Sequence, residues 1–354
     1  MLMAKLAVHK YFSFIILVIT IVMMIFTFVG LWGGSENPAG NTARAMLCFA
    51  LPLLIAGDFI LMVYWIIRCR WHWAIIPAIA ILSCICYIGT LLQIRTLPGD
   101  ADAQEGVKIA TYNVGRFGKE ASGFIAQDIL MEMERQKVDI FCMQEYSDFA
   151  GDSKNQTKFK KYFPYMAMGK SDMVIYSKYP IVDSKNIDFE ESNNSALWAD
   201  VNINGKQVRI FNVHMETTGI NSTLHSAGKM MMKGQEVETN KILGAIYGNY
   251  MMGMMVRAGQ STIIANEKHN TSKPKILCGD FNDVPYSFVY NTLKGDMNDG
   301  FKECGSGWMW TFRGKKKVRI DYIFTDKNMK GITYYTNSKL TYSDHIPVFM
   351  KVKI

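Results

Sequence analysis

Hydrophobic positions are distributed unevenly along the chain. Three apolar runs, at about residues 11–32, 45–67 and 73–94, occupy most of the first hundred positions, and only Asp58 interrupts the second run with a charge. Each run is close to the roughly 20 residues that a helix needs to cross a bilayer. None shows the polar face of a helix that packs on a soluble core. The pattern therefore predicts a membrane anchor at residues 1–97 with three transmembrane helices.

Beyond a predicted linker at residues 98–105, short apolar runs alternate with polar turns. The runs with strand character are Val107–Tyr112, Val138–Met143, Met173–Tyr176, Ala196–Asn202, Val208–Val213, Lys275–Leu277, Arg319–Thr325 and Val348–Ile354. Asn204-Gly205 between two of these runs predicts a hairpin turn. Helical spacing predicts helices at about 122–136 and 237–267. We therefore expect residues 106–354 to form one α+β domain with sheets at its centre.

Composition agrees with a chain made of two different parts. Of the 354 residues, 49% are hydrophobic and 20% are charged, which excludes a disordered chain. Basic residues near the ends of spans orient a membrane protein, since they favour the cytoplasmic side. On one predicted side lie Lys5, Lys10, Arg68 and Arg70, and on the other Arg44 and Arg95. This asymmetry predicts a cytoplasmic N-terminus and an extracytoplasmic domain after the third span.

Charge and cysteine usage narrow the chemistry only a little. The net charge of +8 is compatible with an anionic substrate without requiring one. Of the seven cysteines, Cys142, Cys278 and Cys304 lie outside the anchor, and their odd number argues against a fully paired disulfide framework. Asp58 has no second intramembrane charge with which to form a relay, so we interpret it as a partner inside a small helix bundle.

Polar side chains stand at the ends of several predicted strands, where residues from separate strands converge in space. They are Asn113, Glu145, Asn212, His214, Asp280, Asn282, Asp321, Asp344 and His345. Their carboxylate and amide oxygens suit Mg²⁺ or Mn²⁺. A histidine oriented by an aspartate is a general-base pair, and an asparagine can donate to a phosphoryl oxygen. Together these groups predict hydrolysis of a phosphate ester, although Asp321 alone could simply pair with Arg319.

The order of the motifs adds a family resemblance. YN, QE, NVH, GDFND, RIDYIF and SDHIPV follow one another over about residues 105–354. This series resembles the endonuclease/exonuclease/phosphatase superfamily, which includes DNase I, abasic-site endonucleases, sphingomyelinases and inositol-phosphate 5-phosphatases. The resemblance implies a DNase I-like four-layer αββα sandwich behind the three transmembrane helices.

The resemblance also implies roles for the acidic and amide residues. Asn113 and Glu145 would hold the metal, with Asp344 at the same metal site. Asp280 would orient or activate the attacking water, and Asn282 would contact the phosphoryl group.

It implies roles for the histidines as well. Asp321 would fix the tautomer of His345, which would act as general base or bind the scissile phosphate. His214 would assist the leaving group or a phosphoryl oxygen, and a histidine at that position argues against an abasic-site endonuclease.

Other residues depart from the family pattern or allow two interpretations. Arg116 stands where a second acidic residue is frequent, and we list it with Asn212 as a candidate for substrate binding. The Met-rich stretches at 230–232 and 251–255, in an expanded region from Thr217, suit a core layer better than a lipid-binding surface. Trp308, Trp310 and Phe312 suit core packing better than stacking on a base.

The sequence therefore predicts a membrane-anchored, Mg²⁺- or Mn²⁺-dependent phosphoesterase. Nuclease-like cleavage of a phosphodiester is the first expectation, with a phosphomonoester also open. A phospholipid or sphingomyelin phosphodiesterase is the alternative, and a non-catalytic membrane binding module comes third. The expected partners are a phosphate ester in nucleic acid or a lipid headgroup, and the bilayer itself. The sequence points to no protein partner.

Overall fold

The chain divides into two compact units, which are described separately. A computed structural model describes residues 2–96, 104–119, 123–146, 153–170, 172–190, 192–219 and 238–354 except 315–316, with isolated positions between 223 and 233. One unit comprises residues 1–89 with 286–291, and the other comprises 90–285 with 292–354. Most of the predicted linker lies outside the described residues.

The first unit is built from apolar helices. They are α1 (Leu2–Gly33), α2 (Thr42–Ile67), α3 (Trp71–Ser83) and α4 (Ile85–Ile88). Among the residues that the structure describes, two helical segments are long and apolar enough to cross a membrane, at residues 10–33 and 42–67. These two correspond to the first two predicted spans.

The prediction of a third span at residues 73–94 was wrong. Helix α3 has only 13 residues, about 20 Å at 1.5 Å per residue, which is shorter than the roughly 30 Å hydrocarbon core. The helix stops at Cys84, and α4 ends at Ile88. The last part of the predicted span pairs in a sheet instead, because Leu92 lies opposite Trp308. An uncharged run therefore continued past the end of the helix that it predicted.

The helices of the first unit bury polar side chains and expose apolar ones, the opposite of a soluble helix bundle. The hydroxyl of Thr27 donates to the carboxylate of Asp58 over 2.6 Å, and the indole of Trp65 donates to the Thr20 hydroxyl over 3.0 Å. These four polar side chains are buried, whereas Leu53 is 77% exposed. Asp58 thus bonds a residue of a neighbouring helix, Thr27 of α1, as predicted for an aspartate inside a small helix bundle. Apolar groups facing outward around a polar interior are typical of helices that face lipid.

The second unit contains the strands and the remaining helices. The strands are β1 (Leu92–Gln93), β2 (Val107–Asn113), β3 (Ile140–Gln144), β4 (Tyr165–Met168), β5 (Val174–Ser177), β6 (Ile181–Asp188), β7 (Ser195–Ile203), β8 (Lys206–His214), β9 (Lys275–Asp280), β10 (Asn298–Asp299), β11 (Gly307–Trp308), β12 (Asp321–Thr325), β13 (Lys330–Thr336) and β14 (Val348–Lys353). The helices are α5 (Phe124–Arg135), α6 (Ser153–Tyr162), α7 (Thr239–His269), α8 (Phe288–Lys294, whose first residues belong to the other unit) and α9 (Gly300–Cys304).

The described strands form two six-stranded sheets and a short ribbon. One sheet has the order β10-β12-β9-β8-β7-β6, the other has the order β13-β14-β2-β3-β5-β4, and β1 pairs with β11. The pairs β2–β3 and β8–β9 are parallel, so the strands of each pair end on the same side. This arrangement brings the carboxyl ends of four motif-bearing strands to the same edge of the sandwich.

Two hydrophobic clusters hold the layers together. The first lies between the sheets and contains Ile109, Cys142, Ile210, Cys278 and Ile323, all fully buried. The second packs helices α5 and α6 on the β2-containing sheet through residues such as Ile129 and Phe159. Helix α7 contacts the sheet that contains β6, because Glu267 of this helix pairs with Lys185 of β6 over 2.6 Å. The predicted α+β sandwich is confirmed, and all seven cysteines are free thiols.

Local predictions succeeded where the hydrophobic pattern was strong. Asn204 and Gly205 have φ values of 52° and 91°, as the predicted hairpin requires. Six of the described strands escaped prediction, namely the two-residue strands β1, β10 and β11 and the longer strands β4, β6 and β13. Strand β6 is a sheet edge with mostly exposed residues, so it lacks the alternation by which a half-buried strand is recognised.

Candidate active site

Strand register brings acidic and histidine side chains of one sheet together. On adjacent strands, His214 lies opposite Asp280 and Asp280 lies opposite Asp321. Three neighbouring strands of the sheet, β8, β9 and β12, therefore each place one titratable side chain at paired positions of the ladder. Asp280 is 1% exposed and Asp321 is 1% exposed, so their charges lie in a largely dry environment.

The second sheet contributes Asn113 and Glu145. Asn113 is the last residue of β2, and Glu145 directly follows β3. The Asn113 amide nitrogen donates to Glu145 Oε1 and to Asp280 Oδ2, each over 3.1 Å. One amide therefore joins carboxylates from both sheets, which brings the predicted metal-binding residues beside the predicted water-orienting residue.

Asp321 and His345 form a buried pair. His345 Nδ1 lies 3.0 Å from Asp321 Oδ2, and His345 Nε2 lies 3.5 Å from Asp280 Oδ2. The ring of Phe312 packs against the imidazole at 5.2 Å. Arg319 does not compete for Asp321, because its guanidinium bonds Asp299 in a bidentate pair. The geometry therefore favours the histidine-orienting interpretation of Asp321 over the ion-pair alternative.

His214 faces the same group of carboxylates from the end of β8. Its Nε2 lies 3.9 Å from Glu145 Oε1 and 3.9 Å from Asp280 Oδ2, and its Nδ1 lies 3.5 Å from Asp172 Oδ2. Sequence reasoning missed Asp172. It lies just before β5, and an aspartate in a polar turn carries no signal that distinguishes it from ordinary turn chemistry.

Burial and mutual charge perturb these groups. Burial raises the pKa of the Asp280 carboxyl, and the neighbouring Asp321 charge adds to this effect. Burial alone would lower the pKa of His345, but Asp321 and Asp280 outweigh it and raise that pKa to about 10. Burial likewise opposes protonation of His214, yet Asp172, Asp280 and Glu145 together raise its pKa. Carboxylates without a bound cation thus keep the His345 imidazole protonated near neutral pH, and they favour the protonated form of His214.

Glu145 and Asn282 both adopt left-handed backbone conformations, with φ values of 49° and 50°. The Asn282 backbone N–H donates to Asp280 Oδ1 over 2.8 Å. Its side-chain nitrogen donates to the Met215 carbonyl over 2.9 Å and makes a longer 3.3 Å contact to Asp280 Oδ2. Strained backbone of this kind is found at functional sites, where the surrounding structure holds it in place.

The structure does not bring every predicted residue into this group. Asn212 is fully buried, and its side-chain nitrogen donates to the carbonyls of Met143 and Val174. Its oxygen accepts from Gln144 over 2.6 Å. The side chain therefore bridges the two sheets instead of facing a substrate, because every hydrogen-bonding group it has is used there.

Asp344 and Arg116 are both exposed. The backbone N–H of Arg116 donates to the Glu145 carbonyl over 2.8 Å. The Arg116 backbone therefore lies beside the residue that carries the Glu145 carboxylate. The exposed Asp344 carboxylate is not among the clustered ligand atoms, although its charge contributes to the raised pKa of His345.

Two expectations about apolar residues were wrong. Trp308 is 67% exposed and Trp310 is 37% exposed, so neither packs in the core. Met254 is buried but Met252 is 59% exposed, so the methionines of α7 do not form a uniform core layer. Of the 230–232 stretch, Met232 is also exposed, while residue 231 lies outside the described residues.

The donor set suits a hard divalent cation. Among the described residues, Asp280, Asp321 and His345 each place one ligand atom within 4.8 Å of the others. Glu145 and Asn113 add a carboxylate and an amide beside them. Glu145 is the most accessible carboxylate of the set, with 33% of its side chain exposed. Oxygen ligands dominate, as Mg²⁺ and Mn²⁺ prefer.

Comparison with known proteins decides the family. Residues 110–345 match the model of the Endonuclease/Exonuclease/phosphatase family, which is most of the chain. The chain belongs to this family. Membership supports hydrolysis of phosphate esters as the activity at the family level. Residues 13–91 match a domain of unknown function, DUF8431. A search of curated proteins found no match.

Solved structures of the endonuclease/exonuclease/phosphatase fold resemble this member of the family. A protein of that family from Beutenbergia cavernae aligns with a TM-score of 0.51 and 16% identity, covering 71% of this chain and 72% of the other. TDP2 from D. rerio, complexed with a single-strand DNA product, aligns with a TM-score of 0.50 and 15% identity, covering 71% of this chain and all of the other. At such identities the likeness establishes the fold alone.

Proposed function

We propose that this chain is a divalent-metal-dependent hydrolase of phosphodiester bonds that its apolar helices anchor in a membrane. The observation that carries the proposal is the Asn113 amide, which joins Glu145 and Asp280 across the two sheets at 3.1 Å each. Beside it lies the Asp321–His345 pair. Acid, amide and imidazole groups at one place supply what hydrolysis of a phosphate ester by water needs.

Glu145 would hold Mg²⁺ or Mn²⁺ through its carboxylate, and Asp280 lies close enough to join it. Asn113 would ligate through its Oδ1, which accepts the Gly115 N–H over 3.1 Å here. Once bound, the cation supplies positive charge to a phosphoryl oxygen. Asp344 is left out of this ligand set because, within the described residues, no hydrogen bond connects its carboxylate to Asn113, whereas Glu145 and Asp280 both accept from that amide. Glu145 is the more accessible of these two carboxylates, with 33% of its side chain exposed against 1% for Asp280.

Asp280 holds the attacking water and accepts its proton, since its carboxylate is fixed by hydrogen bonds from Asn113 and Asn282 and burial raises its pKa. Asn282 uses one side-chain hydrogen on the Met215 carbonyl. The other makes only the longer contact to Asp280, and it is the one we assign to a phosphoryl oxygen.

The histidines act as donors in this scheme. His345, oriented by Asp321 through Nδ1, binds the anionic phosphoryl group by donating a hydrogen bond from its other ring nitrogen. His214, whose pKa is raised, donates a proton to the leaving oxygen. Arg116, exposed beside Glu145, adds a guanidinium for the phosphate.

Nucleic acid is the first substrate class. Trp308 and Trp310 are exposed, and Lys317 Nζ lies 5.0 Å from the centroid of the Trp310 ring. This segment continues into Phe312, which packs on His345. Exposed aromatic rings and a cation beside a phosphoesterase centre suit stacking of bases and contact with phosphates.

A lipid headgroup is the second substrate class. The observation that favours it is the outward-facing apolar surface of α1 and α2, represented by the 77% exposure of Leu53. An enzyme with such an anchor meets phospholipids at high local concentration.

The decisive experiment is an activity screen of the full chain in detergent with and without EDTA. The probes are bis-p-nitrophenyl phosphate, single-stranded DNA and phospholipid vesicles. We expect Mg²⁺ or Mn²⁺ to support turnover, EDTA to abolish it, and Asp280→Asn to lower kcat at least ~100-fold. The matched control is Asp296→Asn, because the Asp296 side chain is 75% exposed.

The outcomes separate the substrate classes. Activity on DNA that falls steeply with added salt supports nucleic acid, whereas activity restricted to vesicles supports the lipid headgroup. An absence of turnover on all three probes with either metal contradicts the proposal, as does full activity of Asp280→Asn.

A further inference from the structure

One face of the long helix α7 contacts the loops that carry the candidate catalytic residues. Gly253, Arg257 and Gln260 follow one another at spacings of four and three, so they lie on the same side of the helix. All three are buried. They form a polar stripe within a helix whose exposed residues include Leu243 and Met252.

The stripe holds the loop that follows His214. Gln260 Oε1 accepts the backbone N–H of Glu216 over 2.9 Å, and Arg257 Nη1 donates to the Glu216 carbonyl over 3.2 Å. At Gly253 the backbone approaches so closely that an added Cβ would lie 2.7 Å from the Thr217 carbonyl oxygen. The loop therefore packs on the helix over about two turns.

Arg257 also holds the loop that follows Asn282. Its Nε lies 3.1 Å from Asp283 Oδ2, and Arg257 is 0% and Asp283 2% exposed. Breaking a buried ion pair leaves an uncompensated charge in a dry environment, which is strongly destabilising locally. The guanidinium thus joins the residue after Asn282 to the second residue after His214.

The two loops also contact each other directly. The backbone N–H of Met215 donates to the Asp280 carbonyl over 3.0 Å, and the side chain of Asn282 donates to the Met215 carbonyl over 2.9 Å. Asn282 is held in a left-handed conformation that needs support from its surroundings. Arg257 is the side chain that bonds both loops from outside this contact.

We propose that Arg257 is a positioning residue that fixes the His214 loop and the Asp280–Asn282 loop relative to each other. It acts through Glu216 and Asp283 and does not itself touch the reacting atoms. Its planar fork serves two acceptors at once, which a lysine ammonium does less well. The catalytic consequence rests on the proposed function, whereas the structural coupling of the loops does not.

The test compares Arg257→Met and Arg257→Lys with Arg209→Met in the full chain. Arg209 is the matched control because it makes another largely buried ion pair, with Nε 2.7 Å from Asp200. This pair joins β7 and β8 five residues before the end of β8 that carries His214. We expect Arg257→Met to lower kcat at least ~10-fold with KM changed by less than ~3-fold, and Arg257→Lys to retain intermediate activity. Arg209→Met should lower the unfolding temperature but leave kcat unchanged.

Hydrogen exchange read by mass spectrometry gives a measurement independent of activity. Peptides covering residues 212–218 and 279–285 should exchange faster in Arg257→Met and not in Arg209→Met. If Arg257→Met fails to fold, Arg257→Lys and Asp283→Asn are measured in its place, with smaller effects in the same direction.

Unchanged exchange in both loops overturns the proposal. So does a kcat that falls no further in Arg257→Met than in Arg209→Met. A wild-type chain without turnover would instead contradict the proposed function, and hydrogen exchange would still decide the coupling of the loops.

Discussion

Single side chains in the site owe their chemistry to neighbours far away in sequence. The imidazole of His345 is protonated because Asp321 and Asp280, from two other strands, lie within 3.5 Å of it. Burial would otherwise favour the neutral ring. Charge from the partners therefore outweighs desolvation at this residue, and the same balance holds at His214.

Asp172 allows this balance to be tested. Asp172→Asn removes the carboxylate that lies 3.5 Å from His214 Nδ1. We expect kcat for phosphodiester hydrolysis to fall ~10- to 100-fold, because the ring loses the charge that orients it. Asp188→Asn is the control, since the Asp188 side chain is exposed and pairs only with surface Lys170 among the charged groups of the described residues. Equal kcat values for the two variants would contradict the role of Asp172.

Lys268 provides a second prediction at the same scale. Burial, with help from Lys275 and Lys294, lowers the pKa of Lys268 to about 8, although its ammonium donates to the Leu293 carbonyl over 2.7 Å. In the unfolded chain the pKa is about 10.4. Between these values the unfolded state binds more protons, so stability rises with pH and the penalty is complete below about pH 8.

We therefore expect the free energy of unfolding to rise more steeply from pH 8 to 10 in the wild type than in Lys268→Met. The difference should be on the order of 1–3 kcal/mol. Urea titrations of both proteins at several pH values measure it. Parallel pH dependences would show that Lys268 does not titrate in this range.

At the scale of elements, strand pairing explains why glycine precedes the central aspartate. Gly279 has φ 134°, and a Cβ there would lie 2.0 Å from the Val213 carbonyl oxygen of the neighbouring parallel strand β8. Since Val213 and Gly279 are partners in the ladder, any side chain at 279 would push His214 and Asp280 apart. The register of the strand ends that carry His214 and Asp280 thus depends on this glycine.

Gly279→Ala should consequently destabilise the domain by at least about 3 kcal/mol. Gly244→Ala is the matched control. Gly244 lies exposed in helix α7, and apart from its chain neighbours and the adjacent helix backbone no atom of the described residues lies within 4 Å of its added Cβ. That variant should gain about 0.5–1 kcal/mol from helix propensity. Thermal or chemical unfolding compares the two, and a similar small effect for both would contradict the steric argument.

Two secondary-structure elements show where prediction from the hydrophobic pattern failed. The third apolar run predicted one helix, but its end lies in the β1–β11 ribbon, because a run without charges carries no internal stop signal. The weakly alternating β6 was missed for the opposite reason, as it buries little surface. Strand β2, which is buried throughout, was predicted to within one residue of its observed end, whereas only the first half of β9 was predicted.

At the scale of the whole molecule, an apolar unit and a catalytic unit share one chain. If α1 and α2 cross a bilayer, the full chain should remain in the pellet after extraction of membranes with alkaline carbonate. Its release into the supernatant would contradict the anchor. This measurement is independent of activity, so it tests the membrane proposal separately from the hydrolase proposal.

The side on which the catalytic unit lies depends on the number of crossings. Three crossings give the predicted extracytoplasmic unit, whereas the two helices of spanning length return the chain to the side of its N-terminus. Extracytoplasmic placement therefore requires that the 13-residue α3 also cross. An alkaline-phosphatase fusion after Arg95 should be active in that case, and an inactive fusion with an active cytoplasmic reporter would contradict it.

The sequence by itself predicted the two-part organisation and most of the strand-end residues that the structure brings together. Uncharged runs of spanning length and an ordered series of polar motifs are local features of the sequence, so they can be recognised without knowing the fold. Only the tertiary structure decided that Asn212 bridges the sheets, that Asp172 joins His214, and that Trp308 faces solvent. These outcomes depend on which distant strands pack together, because contacts between residues far apart in sequence leave no mark in the local pattern of either one.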